Sequence, residues 1–305
     1  MRIVIALGGN ALLRRGEPLT EENQRHNIAV AAASLAPITQ NNALVITHGN
    51  GPQVGLLAMQ SAALGPSAAY PLDVLDAETE GMVGYLIEQA LDNLLPAGKR
   101  CASLLTQIEV DPADPAFQQP SKPIGPLFGE DEAKQLAEAR GWHIARDGEH
   151  YRRVVASPRP LRILELGVIE LLVEQCVIVI CAGGGGVPTV RRRDGSLVGV
   201  EAVIDKDLAS ALLARTLKAD ALLLLTDVDA VYADWETPQA RAIHHTAPQA
   251  LRKLAFAPGS MAPKVEAACE FVEHTGHIAG IGRLADAGAI LNGTAGTTIS
   301  KLGSE

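Results

Sequence analysis

The residues from Val177 to Asp207 constrain this chain more than any others. They read VIVICAGGGGVPTVRRRDGSLVGVEAVIDKD: an apolar run of buried-strand length that stops at four glycines, then a basic, turn-rich segment, then Val203-Ile204 followed by Asp205, Lys206 and Asp207. Without a Cβ, glycine lets the main chain take unusual φ/ψ values and bring its N–H groups close to a ligand, a common way to hold phosphate. A tight strand-to-helix crossing with no ligand would use the same residues.

The pattern recurs elsewhere. Arg2 to Leu7 (RIVIAL) is a β-branched run that stops at Gly8-Gly9-Asn10, and Ala43 to Thr47 (ALVIT) leads to Gly49-Asn50-Gly51. Helical patterns alternate with such strands, at Glu22 to about Thr39, Gln53 to Leu64 and Asp76 to Leu95, the last with Met82, Leu86, Ala90 and Leu94 on one side. Cys101 to Val110 reads as a strand and Pro160 to Gln175 as a helix. Asp207 to Thr216 is helical, Ala219 to Thr226 a buried strand, and a helix capped by Ser260 runs to Thr275 before strands at His277 to Ile281 and Thr297 to Ser300. Alternation of this kind gives an α/β fold, a mainly parallel central sheet covered on both faces in three layers. The apolar content of 47% with only 3% aromatic suits strands buried on both sides.

Residues 111 to 160 break the alternation. Prolines crowd Pro112, Pro115, Pro120, Pro123 and Pro126, and about fifty residues are too many for a connection, so an inserted subdomain is expected. Its isolated Lys122 either reaches over a site on the main body or decorates a rigid Pro-rich hairpin.

Net charge is −9, which argues against nucleic acid or an anionic membrane surface as the main partner. The longest apolar runs are too short to span a bilayer, and Met1-Arg2-Ile3 starts a strand-like run, so a cytoplasmic protein is expected. Cys101, Cys176, Cys181 and Cys269 lack metal-ligand spacing and read as buried thiols; the histidines match no metal pattern, and no resident metal site is expected.

Ligands of open α/β sheets bind outside the carboxyl ends of the strands, where all three glycine turns fall. Neither a P-loop nor a dinucleotide fingerprint is present, since Gly98-Lys99 has no following Ser/Thr and Pro188 interrupts the run from Gly183. Lysine is scarce, eight against eighteen arginines, and Lys122, Lys206 and Lys264 stand in motif-like settings beside Pro, Gly or Asp. A glycine floor with isolated lysines suits phosphoryl transfer, which relies on positioning and charge neutralisation. Asp205 and Asp207 either hold ammonium groups or help carry Mg²⁺ through water. No obvious catalytic base is present, which points to an acceptor that is already anionic.

The motifs together are identified with a known family. Ala6-Leu7-Gly8-Gly9-Asn10-Ala11, His48-Gly49-Asn50-Gly51-Pro52-Gln53-Val54-Gly55, Lys122-Pro123-Ile124-Gly125-Pro126, Tyr151 to Val155, Gly183 to Pro188, Ala202 to Asp207 and Gly259-Ser260-Met261-x-Pro263-Lys264-Val265 resemble the carbamate kinases of the amino acid kinase superfamily over nearly the whole chain. The resemblance implies reversible phosphoryl transfer between ATP and carbamate, with Mg²⁺ bound mainly through the nucleotide phosphates, in a homodimer. It implies one domain over 1–305, with an acceptor lobe at 1–182 that includes the protruding subdomain and a nucleotide lobe at 183–305. Gly8, Gly9, Asn10, Gly49, Asn50 and Gly51 would hold carbamate and the moving phosphoryl group. Lys206 and Lys264 would neutralise that group, Asp207 would orient them, and Lys122 would arrive from the subdomain. Gly183, Gly184 and Gly185 would support the phosphates, while Asp205, Thr226, Asp227, Val228, Tyr232, Gly259, Ser260 and Met261 would serve the nucleotide. Leu127-Phe128 and Ala279 to Gly282 depart from the usual pattern, the second near the end of the nucleotide lobe. Two other readings stand beside this one: another small-acid kinase of the superfamily, and a nucleotide- or carbamoyl-phosphate-binding regulator without turnover.

Overall fold

An apolar strand can sit inside a parallel sheet only if both its faces are covered. The strand Arg2–Leu7 meets that condition: Ile3, Ile5 and Leu7 join one core, Val4 and Ala6 another, and none of the five is accessible to solvent. Successive side chains of a strand point to opposite faces, so this strand marks the middle of three layers. Helices Glu21–Leu35, Leu72–Asp92 and Ala287–Leu291 cover the first face. Leu166–Glu174, Lys206–Thr216 and Met261–Thr275 cover the second. The computed structural model describes residues 1–13, 16–63, 69–256 and 261–301, with the side chains of Asn10 and Ala11 outside the description.

Eight strands form the central sheet, in the spatial order His245–Thr246, Thr297–Ile299, Ile278–Arg283, Ala221–Thr226, Arg2–Leu7, Ala43–His48, Ile178–Ile180 and Cys101–Ser103. All neighbours run parallel except Ile278–Arg283 with Thr297–Ile299. The three strands that lead into glycine turns are therefore adjacent, and the turns open side by side. Arg2–Leu7 lies between Ala43–His48 on one side and Ala221–Thr226 on the other, the reversal of strand order at which such sheets bind ligands.

Two smaller sheets frame that edge. Lys122–Phe128, His150–Val155 and His143–Asp147 form an antiparallel arm with the helix Glu130–Arg140. Leu197–Gly199, Val187–Arg191, Gln107–Val110 and Pro160–Ile163 form the other sheet.

Four local expectations change. The strand expected over Cys101 to Val110 is two strands in different sheets. Between them Thr106 Oγ1 donates to the Leu104 carbonyl and accepts from the Ala182 N–H, which turns the chain off the main sheet. Pro160–Ile163 is a strand paired with Gln107–Val110, and only Leu166–Glu174 is helical; apolar periodicity over so few residues does not separate the two states. On Leu72–Asp92 the buried stripe runs through Val83, Leu86, Ile87 and Leu91, while Met82 and, past the end of the helix, Leu94 are exposed. Cys181 and Cys269 are buried as expected, but Cys176 is exposed at a left-handed turn, φ 59°, after the helix Leu166–Glu174. Among the described residues no helix is long and apolar enough to cross a membrane.

Candidate active site

The helix Lys206–Thr216 begins with a side-chain cap. Asp205 Oδ1 accepts from the N–H groups of Asp207 at 2.9 Å and Leu208 at 3.4 Å, satisfying donors that a helix start leaves free. That cap holds Lys206 and Asp207 in the first turn, both buried, at the carboxyl edge of the sheet. Lys206 Nζ donates to Asp207 Oδ1 at 2.5 Å. Lys264 Nζ, from the first turn of Met261–Thr275, donates to Asp207 Oδ2 at 3.0 Å.

One buried carboxylate thus holds two ammonium groups, and the electrostatics follow from that ratio. Burial lowers the Lys206 pKa to about 8, because desolvation and the neighbouring Lys264 outweigh its share of Asp207. Burial works to raise Asp207, yet Lys206 and Lys264 hold it well below the usual carboxylate range. For Lys264 burial works downward and the Asp207 carboxylate outweighs it, so its pKa is raised.

Lys122 reaches the same place from the arm. Its Nζ donates to Asp205 Oδ2 at 2.5 Å, so Asp205 caps the helix with one oxygen and holds a lysine with the other. The three lysines face a cleft of about 240 Å³, floored by the backbone of Gly9, Gly49, Gly51 and Gly184 and flanked by Asn50 and Arg152.

The glycine turns differ in what fills the space beside them. At Gly9 and Gly51 a Cβ would meet nothing within 4 Å, so the main chain there is open to an approaching group. In the four-glycine turn the space is already taken: a Cβ on Gly183 would lie 2.3 Å from His48 Cε1, and one on Gly184 2.2 Å from Asn50 Nδ2. On their Cβ side those two glycines make room for protein side chains, and Gly184 also lines the cleft.

The family model that matches residues 1–281 is described as the amino acid kinase family. This chain belongs to the amino acid kinase family. Its relatives include the carbamate kinase of Rhizobium meliloti, 56% identical over 302 residues that cover 98% of this chain and 93% of the relative. Another is the carbamate kinase of Haemophilus influenzae, 57% identical over 301 residues, 99% of this chain and 97% of the relative. Among solved structures, carbamate kinase from Giardia lamblia bound to AMP-PNP superposes with a TM-score of 0.88 at 43% identity, covering 98% of both chains.

In this amino acid kinase the turns are braced by residues that sequence reasoning passed over. Asn50 Nδ2 donates to Asp76 Oδ1 at 2.8 Å and to Thr79 Oγ1 at 2.9 Å. Glu80 accepts from the Gly183 N–H at 2.8 Å and the Thr106 N–H at 3.2 Å. All three braces are buried on the helix Leu72–Asp92. Burial raises Asp76 well above the usual carboxylate range and pushes Glu80 up to about 8. The signal was present as an Asp-x-x-Thr-Glu spacing, which lies on the face of Val83 and Ile87. His48 is also buried; desolvation lowers it to about 4, so the ring is neutral, with Nδ1 3.2 Å from the Gly49 carbonyl.

The remaining candidates lie to the side. Gly8 donates its N–H to the Leu225 carbonyl at 2.9 Å, and a Cβ on it would lie 3.6 Å from Thr226 Cα, so the first glycine turn touches the end of Ala221–Thr226. Thr226 Oγ1 donates to Asp227 Oδ1 at 3.1 Å, and Asp227 adds to the raised pKa of Lys264. Tyr232 donates its hydroxyl to Asp229 at 3.1 Å, and Met261 packs against the core beneath the second helical layer. Thr226, Asp227, Val228, Tyr232 and Met261 do not line the lysine cleft, nor do Gly8, Gly183 and Gly185. Gly259 and Ser260 lie outside the described residues, as does the side chain of Asn10, whose backbone belongs to the single helical turn Gly9–Leu12.

Proposed function

We infer that this chain is an ATP-dependent carbamate kinase, transferring phosphoryl reversibly between ATP and carbamate to give ADP and carbamoyl phosphate. The observation that carries the reading is the Asp207 carboxylate holding Lys206 and Lys264 in a cleft that Lys122 enters from the arm. Phosphoryl transfer is mostly positioning and neutralisation of spreading charge, and three compact ammonium groups supply both. Asp205 and Asp207 are engaged by lysines, so neither is a free base. Carbamate needs none, because the oxygen that attacks is already anionic. The names of the relatives and the AMP-PNP complex of the Giardia protein support the same acceptor and nucleotide.

In this reading Gly8, Gly9, Asn10, Gly49, Asn50 and Gly51 hold carbamate and the moving group, with the open backbone at Gly9 and Gly51 nearest to it. Lys206 and Lys264 neutralise it from the floor, Asp207 orients them, and Lys122 neutralises it from the arm. Gly183, Gly184 and Gly185 support the phosphates; Thr226, Asp227, Val228, Tyr232, Gly259, Ser260 and Met261 serve the nucleotide. The chain divides functionally into an acceptor lobe, 1–182, and a nucleotide lobe, 183–305. Mg²⁺ comes with the nucleotide and offsets phosphate charge. The donor set suits that arrangement: the oxygens of Asp205 and Asp207 are spent on ammonium and N–H groups, and among the described residues no three His, Cys, Asp or Glu side chains gather as a cage. The protein works in the cytoplasm as a homodimer.

A coupled assay of ATP formation from ADP and carbamoyl phosphate, with acetyl phosphate as control, tests the reading. Turnover that prefers carbamoyl phosphate is expected. Tight ADP binding without turnover would replace the enzyme by a regulator, and equal use of acetyl phosphate would remove carbamate as the acceptor.

A further inference from the structure

We propose that Gly55 and Gly125 form the seat on which the arm rests, and that this seat sets the rate of phosphoryl transfer by placing Lys122. The proposal rests on the reading of Lys122 given above and names what positions that lysine.

Gly55 lies in the helix Gly51–Ala63, one turn past the open backbone of Gly51; Gly125 lies three residues past Lys122 in Lys122–Phe128. There the two main chains meet with no side chain between them. A Cβ on Gly55 would stand 1.9 Å from Gly125 Cα and 2.0 Å from its nitrogen, a gap that no flexible side chain can relieve because the obstacle is backbone. Gly125 has φ +74°, and the pairing of its strand with His150–Val155 shifts register between Ile124 and Phe128, so the strand bulges at the crossing. Arg152 fixes the bulge from the neighbouring strand, donating Nη2 and Nε to the Gly125 carbonyl at 2.6 and 3.1 Å. Beneath lies a small core of its own, in which Ile124 and Val155 of the arm meet Val54, Ala58, Leu75 and Val203.

A glycine inside a helix is destabilising relative to alanine, and nothing in the helix itself offsets that at Gly55. What it permits is the close approach. The Lys122 Nζ stands 2.5 Å from Asp205 with its strand lying against the helix, so lifting the strand at this crossing withdraws the lysine. Gly55 is a positioning residue in this scheme, acting through Lys122 and touching no reacting atom.

The test is a double-mutant cycle on the full chain, with kcat, ADP affinity by calorimetry and thermal unfolding measured for wild type, Gly55→Ala, Lys122→Ala and the double variant. Gly55→Ala is expected to lower kcat by about 10-fold or more with ADP affinity within about 3-fold, and to change kcat less than about 2-fold where Lys122 is already alanine. Gly125→Asn serves as a milder variant should Gly55→Ala not fold. Asparagine tolerates positive φ, and its Cβ would meet Gly55 Cα at 3.3 Å, so a smaller loss that also vanishes without Lys122 is expected. Losses that multiply in the double variant, or seat variants with wild-type kcat beside an impaired Lys122→Ala, overturn the seat alone. A Lys122→Ala enzyme with intact kcat overturns the role of Lys122 and the seat together.

Discussion

Lys264 and Lys122 face one cleft and are held in unlike ways. Lys264 stands in the first turn of a helix whose Val265, Ala268 and Phe271 belong to a core flanking the main sheet, and it shares the Asp207 carboxylate with Lys206. Lys122 stands on a strand of a three-stranded arm, over a small core, and its side chain keeps 24% of its exposure against 12% for Lys264. A charge needed on the floor can be buried only with a counter-charge beside it. A charge that arrives from above needs a partner at its resting position and a surface to rest on, supplied by Asp205 and the glycine crossing.

The largest expected effect breaks the floor. Asp207→Asn leaves two buried ammonium groups without a carboxylate, a loss of about 3–5 kcal/mol in unfolding free energy together with nearly all turnover. Urea unfolding checks the first part, and a variant as stable as wild type would show that the lysines do not depend on Asp207.

Next, removing one lysine from each side sharpens the contrast. Lys206→Ala should lower kcat at least about 100-fold, near 3 kcal/mol of transition-state stabilisation, and wild-type-like turnover would sink the proposed chemistry. Lys122→Ala should also lower kcat while ADP affinity stays within about 3-fold by calorimetry. Collapse of ADP binding with kcat intact would move Lys122 to the nucleotide site.

The smallest effect is a pH dependence that only the floor should show. With Lys206 lowered to about 8, its charge leaves the free enzyme as pH rises through that value, and kcat/KM should fall there. A profile flat to about pH 9.5 would contradict a working charge at Lys206. Stability takes the opposite sign. Because the folded pKa lies below the ordinary value of 10.5, the unfolded chain binds more protons between the two, and the contribution of Lys206 to stability grows as pH rises from about 8 towards 10.5.

Much of this contrast was legible in the sequence. The strands Arg2–Leu7, Ala43–His48 and Ala221–Thr226 announced themselves as apolar runs, and the glycines placed their carboxyl ends. Lys122, Lys206 and Lys264 stood out because lysine is rare here and each sits in a motif, and the cleft does bring them together. Asp76, Thr79 and Glu80 went unnoticed because a polar residue in a helical pattern is assigned to solvent, whereas here the glycine turns supply buried partners for all three. Pro160–Ile163 was misread because its strand character comes from a partner some fifty residues earlier in the chain.

By itself the sequence determined the layers, the parallel sheet and the kinds of residue able to handle a phosphoryl group, since periodicity, burial and charge are local properties of the chain. The tertiary structure alone decided that Asp207 serves two lysines while Asp205 serves a third, and that two of the four consecutive glycines make room for His48 and Asn50. It alone decided, too, that Gly55 and Gly125 meet. Each of these joins residues far apart in sequence, and a distance between two backbones exists only once the chain has folded.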